Sequence, residues 1–403
     1  MKRSSVPALP FGLPPPAGGG VDVLFVAGEH SGDEHAARVV RDLRARHPEL
    51  RICALGGPAM AAEGAQLLHD LTATSVVGFV EVLKHYSFFK ALFDATLRWI
   101  GEHRPRAVCF VDYPGFNLRL AARLREGGLS VKGGGGVKLL YYISPQIWAW
   151  KAKRRFAMAR DLDALAVIFP FEPACYTDTG LPVEFVGHPF LAADYAAPVE
   201  DDPAGPVLLL PGSRVQAVGR IFPLLLAGFA AWRRDRPRAR AVVMFPSAEV
   251  REVLQRILAG FAELAGAVEL VATPKAGGTG GAPAPLRASA VLTSSGTMSL
   301  HCALAGVPGA IAYRTNPITY LLARWWVKLD FIGIANLLLK EPMYPEFIQG
   351  AATPAALAAQ LRECLEEPAR RERTRAQAGR LRRLLHAEKV GDAADWLARQ
   401  LRG

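Results

Sequence analysis

Two short turns in the second half of this 403-residue chain combine small side chains with groups that bind phosphate. Each follows an apolar run and precedes a helical pattern; the turns are Leu210-Pro211-Gly212-Ser213-Arg214 and Thr293-Ser294-Ser295-Gly296-Thr297. A helix N-terminus offers free N–H groups and a partial positive charge, and an Arg guanidinium pairs with phosphate oxygens. Each turn alone is equally well explained as a helix cap or as a turn with a solvated Arg. Because parallel strands end at one edge of a sheet, the two turns together favour a phosphate site.

Two turns in the first half carry carboxylates directly after apolar runs. They are Gly28-Glu29-His30-Ser31-Gly32-Asp33 and Val111-Asp112-Tyr113-Pro114-Gly115-Phe116-Asn117. Either Asp33 or Asp112 is compatible with a plain capping role. A carboxylate facing a cleft opposite an anion site is also what a sugar transferase needs, because a general base must deprotonate the acceptor hydroxyl. We therefore predict Asp112 as the base and Asp33 as a cap or an acceptor-binding group, and we assign no base role to His30 or His188.

The elements that must position these turns alternate between strand and helix patterns. Apolar runs predict strands at residues 21–27, 51–55, 107–111, 138–143 and 164–169, and again at residues 207–210, 240–245, 267–272, 290–293 and 309–313. Helical periodicity separates these runs. The alternation predicts two doubly wound, Rossmann-like α/β lobes with parallel sheets and a cleft between them.

Length favours two domains, and composition suggests their limits. Residues 198–206 are rich in Pro, Asp and Gly and are predicted as the linker between an N-terminal lobe, residues 21–197, and a C-terminal lobe, residues 207–353. Residues 354–403 are predicted to form helices that can pack back on the N-terminal lobe. Residues 1–20 are predicted as a flexible leader, because prolines interrupt what would be the apolar core of a signal peptide.

Composition restricts the function classes. Forty-eight Lys and Arg against 37 Asp and Glu give a net charge of +11, which favours an anionic partner. No zinc-finger spacing or ribonucleoprotein motif accompanies this charge, so nucleic acid is the least favoured partner. Five dispersed cysteines predict reduced core thiols in a cytoplasmic protein. Turn residues interrupt the longest uncharged stretch, residues 292–313, so no transmembrane helix is predicted and any membrane contact is expected to be peripheral.

An ordered set of motifs runs through most of the chain. The most specific is Ser144-Pro145-Gln146-Ile147-Trp148-Ala149-Trp150. Others are Gly28-Glu29 with Ser31-Gly32-Asp33, the turn from Asp112 to Asn117, Phe169-Pro170-Phe171-Glu172, Val186-Gly187-His188-Pro189, Pro211-Gly212-Ser213-Arg214 and Ser295-Gly296-Thr297. With these motifs in this order, the chain resembles the lipid-A-disaccharide synthase family, bacterial glycosyltransferases of GT-B architecture.

The resemblance implies an inverting transfer of a diacylated glucosamine from UDP-2,3-diacylglucosamine to the 6′-hydroxyl of 2,3-diacylglucosamine 1-phosphate, with release of UDP. It places the family's essential Asp at Asp112 and its essential Arg at Arg214. The implied donor residues are Gly212, Ser213, Arg214, Ser294, Ser295, Gly296, Thr297 and His301, and the implied acceptor residues are Glu29, Ser31, Asp33, Asn117, Ser144, Gln146 and Trp148. No metal or cofactor is implied. The Asp161-Leu162-Asp163 match to a metal-binding pattern is set aside, because it precedes a predicted buried strand.

Acylated substrates imply contact with lipid. Residues 76–93 are more apolar than a helix on one face of a sheet requires, and the candidate acyl or membrane contacts are Val77, Phe79, Val80, Leu83, Phe88 and Phe89. An ordinary buried helix and loop explains this pattern equally well. The implied partners are the two acylated sugars and the inner-leaflet membrane surface, with a cytoplasmic, peripheral location. A homodimer stays open.

Three donor-lobe positions depart from the family pattern. The family usually has Glu where this chain has His301 and Ala217, and Pro where it has Ala335. A neutral imidazole offers one acceptor, so ribose would be held more weakly or differently than by a carboxylate. These departures leave two alternatives: another UDP-sugar enzyme of the same architecture, such as a 2-epimerase, or a non-catalytic relative that binds lipid sugars. The presence of both Asp112 and Arg214 disfavours loss of catalysis.

Overall fold

The computed structural model describes residues 12–75, 86–149, 151–192, 195–273, 284–316, 330–386 and 391–402. The chain forms two compact units, one of Met1–Pro189 with Ala387–Gly403 and one of Phe190–His386. Each unit contains a parallel sheet accompanied by helices. The two α/β lobes predicted from the alternation of strand and helix patterns are therefore confirmed.

The first unit is built on seven parallel strands. They are β1 (Val23–Ala27), β2 (Ile52–Gly56), β3 (Gln66–Asp70), β4 (Ala107–Val111), β5 (Lys138–Tyr142), β6 (Ala164–Val167) and β7 (Val183–Phe185). Their order in the sheet is β3-β2-β1-β4-β5-β6-β7. The helices between them are α1 (His30–Arg46), α2 (Pro58–Ala62), α3 (Thr72–Ser75), α4 (Tyr86–His103), α5 (Pro114–Glu126) and α6 (Arg154–Asp161).

The central strands of this sheet are buried along their whole length. Every residue of β1, β2 and β4 is buried, as expected for strands whose two faces are both covered. Trp99 and Ile100 of α4 and Leu120 and Leu124 of α5 belong to the same core cluster as the apolar residues of these strands. Burial on both faces of the sheet explains why these strands are continuous apolar runs in the sequence.

The second unit repeats the plan with six parallel strands and a separate pair. Its strands are β8 (Val199–Asp201), β9 (Val207–Leu210), β10 (Ala241–Phe245), β11 (Val268–Ala272), β12 (Leu286–Ala288), β13 (Ala290–Thr293), β14 (Gly309–Tyr313) and β15 (Glu346–Ile348). The main sheet has the order β11-β10-β9-β13-β14-β15, and β12 pairs with β8. The later helices are α7 (Val215–Arg233), α8 (Ala248–Leu258), α9 (Thr297–Ala305), α10 (Ile334–Leu339), α11 (Pro354–Glu366), α12 (Pro368–Leu385) and α13 (Ala393–Arg402).

Each main sheet reverses its strand order beside the strand that comes first in the chain within that sheet. In the first unit β1 lies between β2 and β4, and in the second unit β9 lies between β10 and β13. Ligands of doubly wound sheets bind beyond the carboxyl ends of the strands at such a switch point. The turns that follow β1, β4, β9 and β13 are the four turns singled out by their chemistry in the sequence.

Three predicted segment limits need correction. The expected linker, residues 198–206, contains β8, which pairs with β12 inside the second unit, and the chain divides between Pro189 and Phe190. In the expected leader, the described residues from Gly12 onwards are attached to the first unit, because Trp99 Nε1 donates to the Pro14 carbonyl at 2.8 Å. Of the C-terminal helices, for which packing on the N-terminal lobe was expected, α13 belongs to the first unit, whereas α11 and α12 belong to the second.

One helix in the described part of the chain, α7, has the length and composition of a membrane span. Its residues Ile221, Phe222, Leu225 and Phe229 lie in the core cluster of the second unit together with Leu357 of α11. Gly228 of α7 approaches Leu357 so closely that any side chain at position 228 would overlap it. These contacts give α7 the packing of a core helix.

Candidate active site

Asp112 follows β4 in an unusual backbone conformation. Its φ is 45° and that of Tyr113 is 48°, so two consecutive residues other than glycine are left-handed just before α5 begins. The carbonyl of Asp112 accepts hydrogen bonds from Tyr141 Oη at 2.5 Å and from Asn117 Nδ2 at 2.8 Å, and its N–H donates to Tyr142. Such a costly conformation persists only where the surroundings enforce it, which is typical of functional turns.

The carboxyl group of Asp112 has the properties of a general base. Burial raises its pKa, the nearby charge of Glu29 raises it further, and the Tyr113 N–H lowers it in part, giving a value of about 6. Glu29 directly follows β1, which pairs with β4, so the switch point brings the two carboxylates together. A base with a pKa close to the working pH is largely deprotonated and still accepts a proton effectively.

Gly28 provides the space for the turn that carries Asp112. A Cβ atom at position 28 would overlap the ring of Tyr113. We expect Gly28→Ala to push Tyr113 and its neighbour Asp112 out of place and to lower the transfer rate about 100-fold, the typical result of misplacing a reacting group by about 1 Å. Gly115→Ala is the matched control, since a Cβ there meets nothing within 4 Å. Steady-state rates of the two folded variants test this, and equal rates would contradict it.

Three of the predicted acceptor residues are buried and make hydrogen bonds within the protein. The carboxylate of Asp33 accepts hydrogen bonds from the N–H groups of Gly57, Ala59 and Met60, so it caps α2 and is only 2% exposed. Asn117 is fully buried and its amide donates to backbone carbonyls, including that of Asp112. Ser144 is buried, with its Oγ 2.7 Å from Tyr176 Oη. Apart from Asn117 Oδ1, which is buried without a hydrogen-bond partner, these polar groups are engaged within the protein, and contact of the three residues with an acceptor stays a prediction.

The other four predicted acceptor residues keep some exposure and follow β1 and β5: Glu29 at the N-cap of α1, Ser31 in its first turn, and Gln146 and Trp148 on the turn after β5. Ser31 and Gln146 are exposed, and Glu29 and Trp148 are half-buried. Because β5 neighbours β4, the turn that carries Gln146 and Trp148 starts at the same sheet edge as Asp112. Their contact with an acceptor stays a prediction.

Sequence reasoning missed the role of Glu172. This residue is 1% exposed, and its Oε2 accepts a hydrogen bond from the Phe169 N–H at 3.0 Å. The Trp148 ring packs edge-on against Phe169 and Phe171, and Phe169 also contacts the ring of His188. The turns after β5, β6 and β7 thus meet in one cluster around a buried carboxyl group. The order of the three motifs in the chain contained no signal of this convergence.

Burial raises the pKa of Glu172 to about 7, although the Phe169 N–H and the Trp148 indole favour its charged form. A carboxyl whose pKa is raised on folding binds its proton more tightly when folded. Its stabilising effect is therefore complete below the ordinary pKa of 4.5 and is lost as the pH rises to about 7.

We expect Glu172→Gln to be more stable than the wild-type protein at pH 8, by up to about 3 kcal/mol, and to show no such gain at pH 4. The amide stays neutral at both pH values and its oxygen can still accept from Phe169. Denaturant unfolding at the two pH values measures the difference. Glu252→Gln, at an exposed position of α8, is the control. A gain independent of pH would contradict the assignment.

The two phosphate-binding turns of the second unit lie side by side. Thr293 of β13 is in register with Leu210 of β9, and the Ser294 N–H donates to the Leu210 carbonyl at 2.8 Å. Gly212 has a φ of 113°, which favours glycine, and a Cβ added there would lie 3.4 Å from Ser294 Oγ. The turns therefore open at one edge of the sheet, as predicted.

Each of these turns leads into the N-terminus of a helix. Arg214 precedes α7 and Gly296 precedes α9, and neither helix has a side-chain hydrogen bond capping its start. Ser213, Arg214, Gly296 and Thr297 are exposed, and Ser295 is half-buried. Two helix N-termini with a guanidinium beside them form an arrangement that can bind a diphosphate.

His301, a predicted donor residue, is largely buried among aromatic side chains. Its ring is 8% exposed, stacks on Phe190 with ring centroids 3.8 Å apart, and lies with both nitrogens 3.1 Å from Tyr195 Oη. His301 lies one helical turn along α9 from the candidate phosphate-binding turn, and its ring contacts there are with Phe190 and Tyr195. A direct bond from His301 to ribose would need these rings to part.

The two carboxylates of the Asp161-Leu162-Asp163 pattern make ion pairs and hydrogen bonds within the protein. Asp161 is buried and pairs with Arg125 at 2.6 Å and Arg160 at 2.8 Å. Asp163 accepts a hydrogen bond from the Leu139 N–H at 2.7 Å. These contacts join α5, α6 and the neighbouring strand β5, which supports a structural role for both residues.

The fold and its two switch points define a class. Two units that are each built on a Rossmann-like parallel sheet with a switch point are the architecture of GT-B glycosyltransferases. Solved structures show the same fold. The spinosyn forosaminyltransferase SpnP matches with a TM-score of 0.55 and 13% identity over 95% of this chain and 100% of its own. A putative UDP-N-acetylglucosamine 2-epimerase from Listeria monocytogenes matches with a TM-score of 0.57 and 12% identity over 95% and 96%.

Sequence comparison identifies the family within this class. The family described as Lipid-A-disaccharide synthetase matches residues 23–400. Lipid-A-disaccharide synthase 1 of Legionella pneumophila is 36% identical over 344 residues, which cover 81% of this chain and 83% of its own. Lipid-A-disaccharide synthase of Geobacter metallireducens is 35% identical over 374 residues, covering 90% and 92%. The chain belongs to the lipid-A-disaccharide synthetase family.

Proposed function

We propose that the chain joins UDP-2,3-diacylglucosamine to 2,3-diacylglucosamine 1-phosphate, giving the β-1,6-linked disaccharide 1-phosphate and UDP. Family membership supports the substrate class. The observation that carries the mechanism is Asp112, a half-buried carboxyl group with a pKa of about 6 on a constrained turn at the switch point. Such a group is suited to deprotonating a sugar hydroxyl at neutral pH.

The reaction is a single displacement with inversion. The carboxylate of Asp112 accepts the proton of the acceptor 6′-hydroxyl while the hydroxyl oxygen forms its bond to the anomeric carbon of the donor. The bond between that carbon and the β-phosphate oxygen of UDP breaks, and its electron pair leaves with UDP. Attack from the face opposite the leaving group gives the β linkage.

Departure of UDP requires stabilisation of the charge that develops on its β-phosphate. We assign this task to Arg214 and to the N-terminus of α9 at Gly296 and Thr297, with Gly212, Ser213, Ser294 and Ser295 holding the diphosphate. Donors that are fixed before the reaction stabilise such charge without having to reorganise. The neighbouring positions of these turns on β9 and β13 support a shared diphosphate.

The acceptor is assigned to the segments that follow β1 and β5, with Glu29, Ser31, Gln146 and Trp148 as the contacting residues.

We also propose that the enzyme works as a peripheral protein on the cytoplasmic side of the inner membrane, because both substrates are acylated. Of the candidate lipid contacts, Val77, Phe79, Val80 and Leu83 lie outside the described residues. Phe88 and Phe89 are half-buried and meet edge to face with centroids 5.8 Å apart. A homodimer stays a prediction.

Release of UDP tests the proposed reaction. Purified protein is incubated with both acylated sugars in detergent, and UDP and the disaccharide product are quantified together. We expect stoichiometric formation of both and no UDP when the acceptor is omitted. Absence of turnover with intact substrates would overturn the proposal. Conversion of UDP-N-acetylglucosamine in the absence of any acylated acceptor would point to a 2-epimerase instead.

A further inference from the structure

Helix α6 presents one outward face that combines an apolar ring with cations. Residues three and four positions apart share a helix face. Lys153 at the N-cap, Phe156, Ala157 and Arg160 follow this spacing, and all four are exposed. Met158 and Asp161 are the buried residues of the helix. A 49% exposed Phe between two basic side chains is therefore the centre of the outer face of α6.

A second exposed apolar side chain lies beside this helix. Lys132 Nζ donates to the Ala159 carbonyl at 2.6 Å, which attaches the short turn Val131–Gly133 to the end of α6. Val131 is 44% exposed. The four large hydrophobic residues that are strongly exposed in the described part of the chain are Val131, Phe156, Val215 and Leu384. Both of those in the first unit thus lie at α6.

The charge around α6 is predominantly positive. The cations of this surface are Lys132, Lys151, Lys153, Arg154, Arg155 and Arg160, and the nearby carboxylates are Glu126, Asp161, Asp163 and Asp178. The guanidinium of Arg155 lies 4.3 Å from the centre of the Phe156 ring while pairing with Asp178. Cations that surround an exposed aromatic ring match an anionic lipid surface, where the ring enters the interface and the cations meet headgroups.

The position of α6 relates this face to the candidate acceptor site. The helix directly follows the turn after β5 that carries Gln146 and Trp148, and β5 neighbours the strand that ends at Asp112. Arg154, in the first turn of α6, acts electrostatically on Tyr141, whose hydroxyl bonds to the Asp112 carbonyl. A membrane in contact with α6 would therefore lie close to the edge of the sheet where an acylated acceptor is to be deprotonated.

We infer that the outer face of α6, centred on Lys153, Phe156 and Arg160, docks this enzyme on an anionic lipid bilayer. The inference rests on the proposed function, because only acylated substrates require the enzyme to work at a bilayer. It commits to a lipid surface rather than to nucleic acid, because the exposed ring adds an apolar contact that phosphate backbones do not need.

Vesicle sedimentation tests the docking face. The wild-type protein is expected to bind vesicles of phosphatidylglycerol and phosphatidylethanolamine and to bind weakly to vesicles of phosphatidylcholine alone. The variant Lys153→Glu/Phe156→Ser is expected to bind the anionic vesicles at least about tenfold more weakly, since each basic residue at a membrane surface contributes roughly 1 kcal/mol, or about fivefold. The matched control is Arg383→Glu/Leu384→Ser, which changes an exposed cation and an exposed apolar residue on α12 and is expected to bind like the wild-type protein.

Activity in two media separates this inference from the proposed reaction. With detergent-dispersed substrates, Lys153→Glu/Phe156→Ser is expected to release UDP at the wild-type rate; with substrates in anionic vesicles, its apparent KM is expected to rise severalfold at unchanged kcat. Equal vesicle binding by this variant and the wild-type protein would overturn the docking face while leaving the reaction intact. So would vesicle binding lost equally in the α12 control, or binding to nucleic acid but not to anionic vesicles.

Discussion

Replacing Asp112 by Asn is expected to lower the rate of UDP release by about 10²- to 10⁴-fold, the usual contribution of a positioned general base. Asn has nearly the same size as Asp but cannot accept the proton of the acceptor hydroxyl. The backbone contacts of residue 112 involve its N–H and carbonyl groups, so they are retained in the variant. The loss should therefore appear in kcat, with the affinity for UDP unchanged by calorimetry.

The pH dependence gives this prediction a second readout. The base works as a carboxylate, and burial together with Glu29 raises its pKa to about 6. The wild-type kcat/KM is therefore expected to be constant above this pH and to fall below it, by about tenfold per pH unit. The residual rate of Asp112→Asn should lack this fall. Asp235→Asn, at an exposed position of the second unit, controls for loss of charge. A variant that keeps more than a tenth of the activity would exclude Asp112 as the base.

Arg214→Ala is expected to have the second largest effect, a loss of about 10²- to 10³-fold in kcat, as for removal of one donor to a developing negative charge. Calorimetry should show weaker UDP binding as well, because the guanidinium is also proposed to contact the diphosphate before bond cleavage. Arg214→Lys should recover part of the binding but little of the rate, since an ammonium keeps the charge without the planar pair of donors.

Arg220→Ala provides the matched control for Arg214. Both residues are exposed, and Arg220 lies further along α7, away from the helix N-terminus. The control is expected to keep wild-type kcat and UDP affinity. Equal losses in the two variants would mean that the effect comes from the net charge of the second unit and not from the phosphate-binding turn.

The ten strands predicted from the sequence are all present, and most of them are buried, continuous apolar runs. The exception is the edge strand β11, which is only partly buried and contains Glu269. β4, β9, β13 and β14 even have the predicted bounds. The strands not predicted are short or polar: β3 reads Gln-Leu-Leu-His-Asp and β15 has three half-buried residues. Burial on two faces produces a pattern that is visible in one sequence, whereas pairing at the edge of a sheet produces almost none.

The candidate site, like the set of strands, could be predicted from the sequence only in part. The four turns at the switch points could be located, because a strand that leads into a small polar turn and a helix is a local pattern. The engagement of Asp33 with α2, of Ser144 with Tyr176 and of His301 with Phe190 depends on residues far away in the sequence, from 24 positions upwards. Such contacts exist only once the chain has folded, so residue type and spacing could not reveal them.

The resemblance to the family rested mainly on the order of the motifs along the chain. Several of its motifs are weak individually, yet the match to the family covers residues 23–400. The order of the motifs did not explain departures from the family pattern such as His301. The structure explains this one in part, since Phe190 and Tyr195 stack on the imidazole and a carboxylate in that aromatic surrounding would be poorly solvated.

The last helix of the chain determines when the first unit can finish folding. Trp396 and Leu397 of α13 are buried in that unit, and the helix is tied to the start of two central strands: Arg106 donates to the Leu401 carbonyl at 2.5 Å and Lys138 to the Gln400 carbonyl at 2.6 Å. A ribosome synthesises these residues only after the whole second unit. Part of the surface of the first unit therefore stays uncovered while the second unit is synthesised. The second unit can complete its folding before the first unit does.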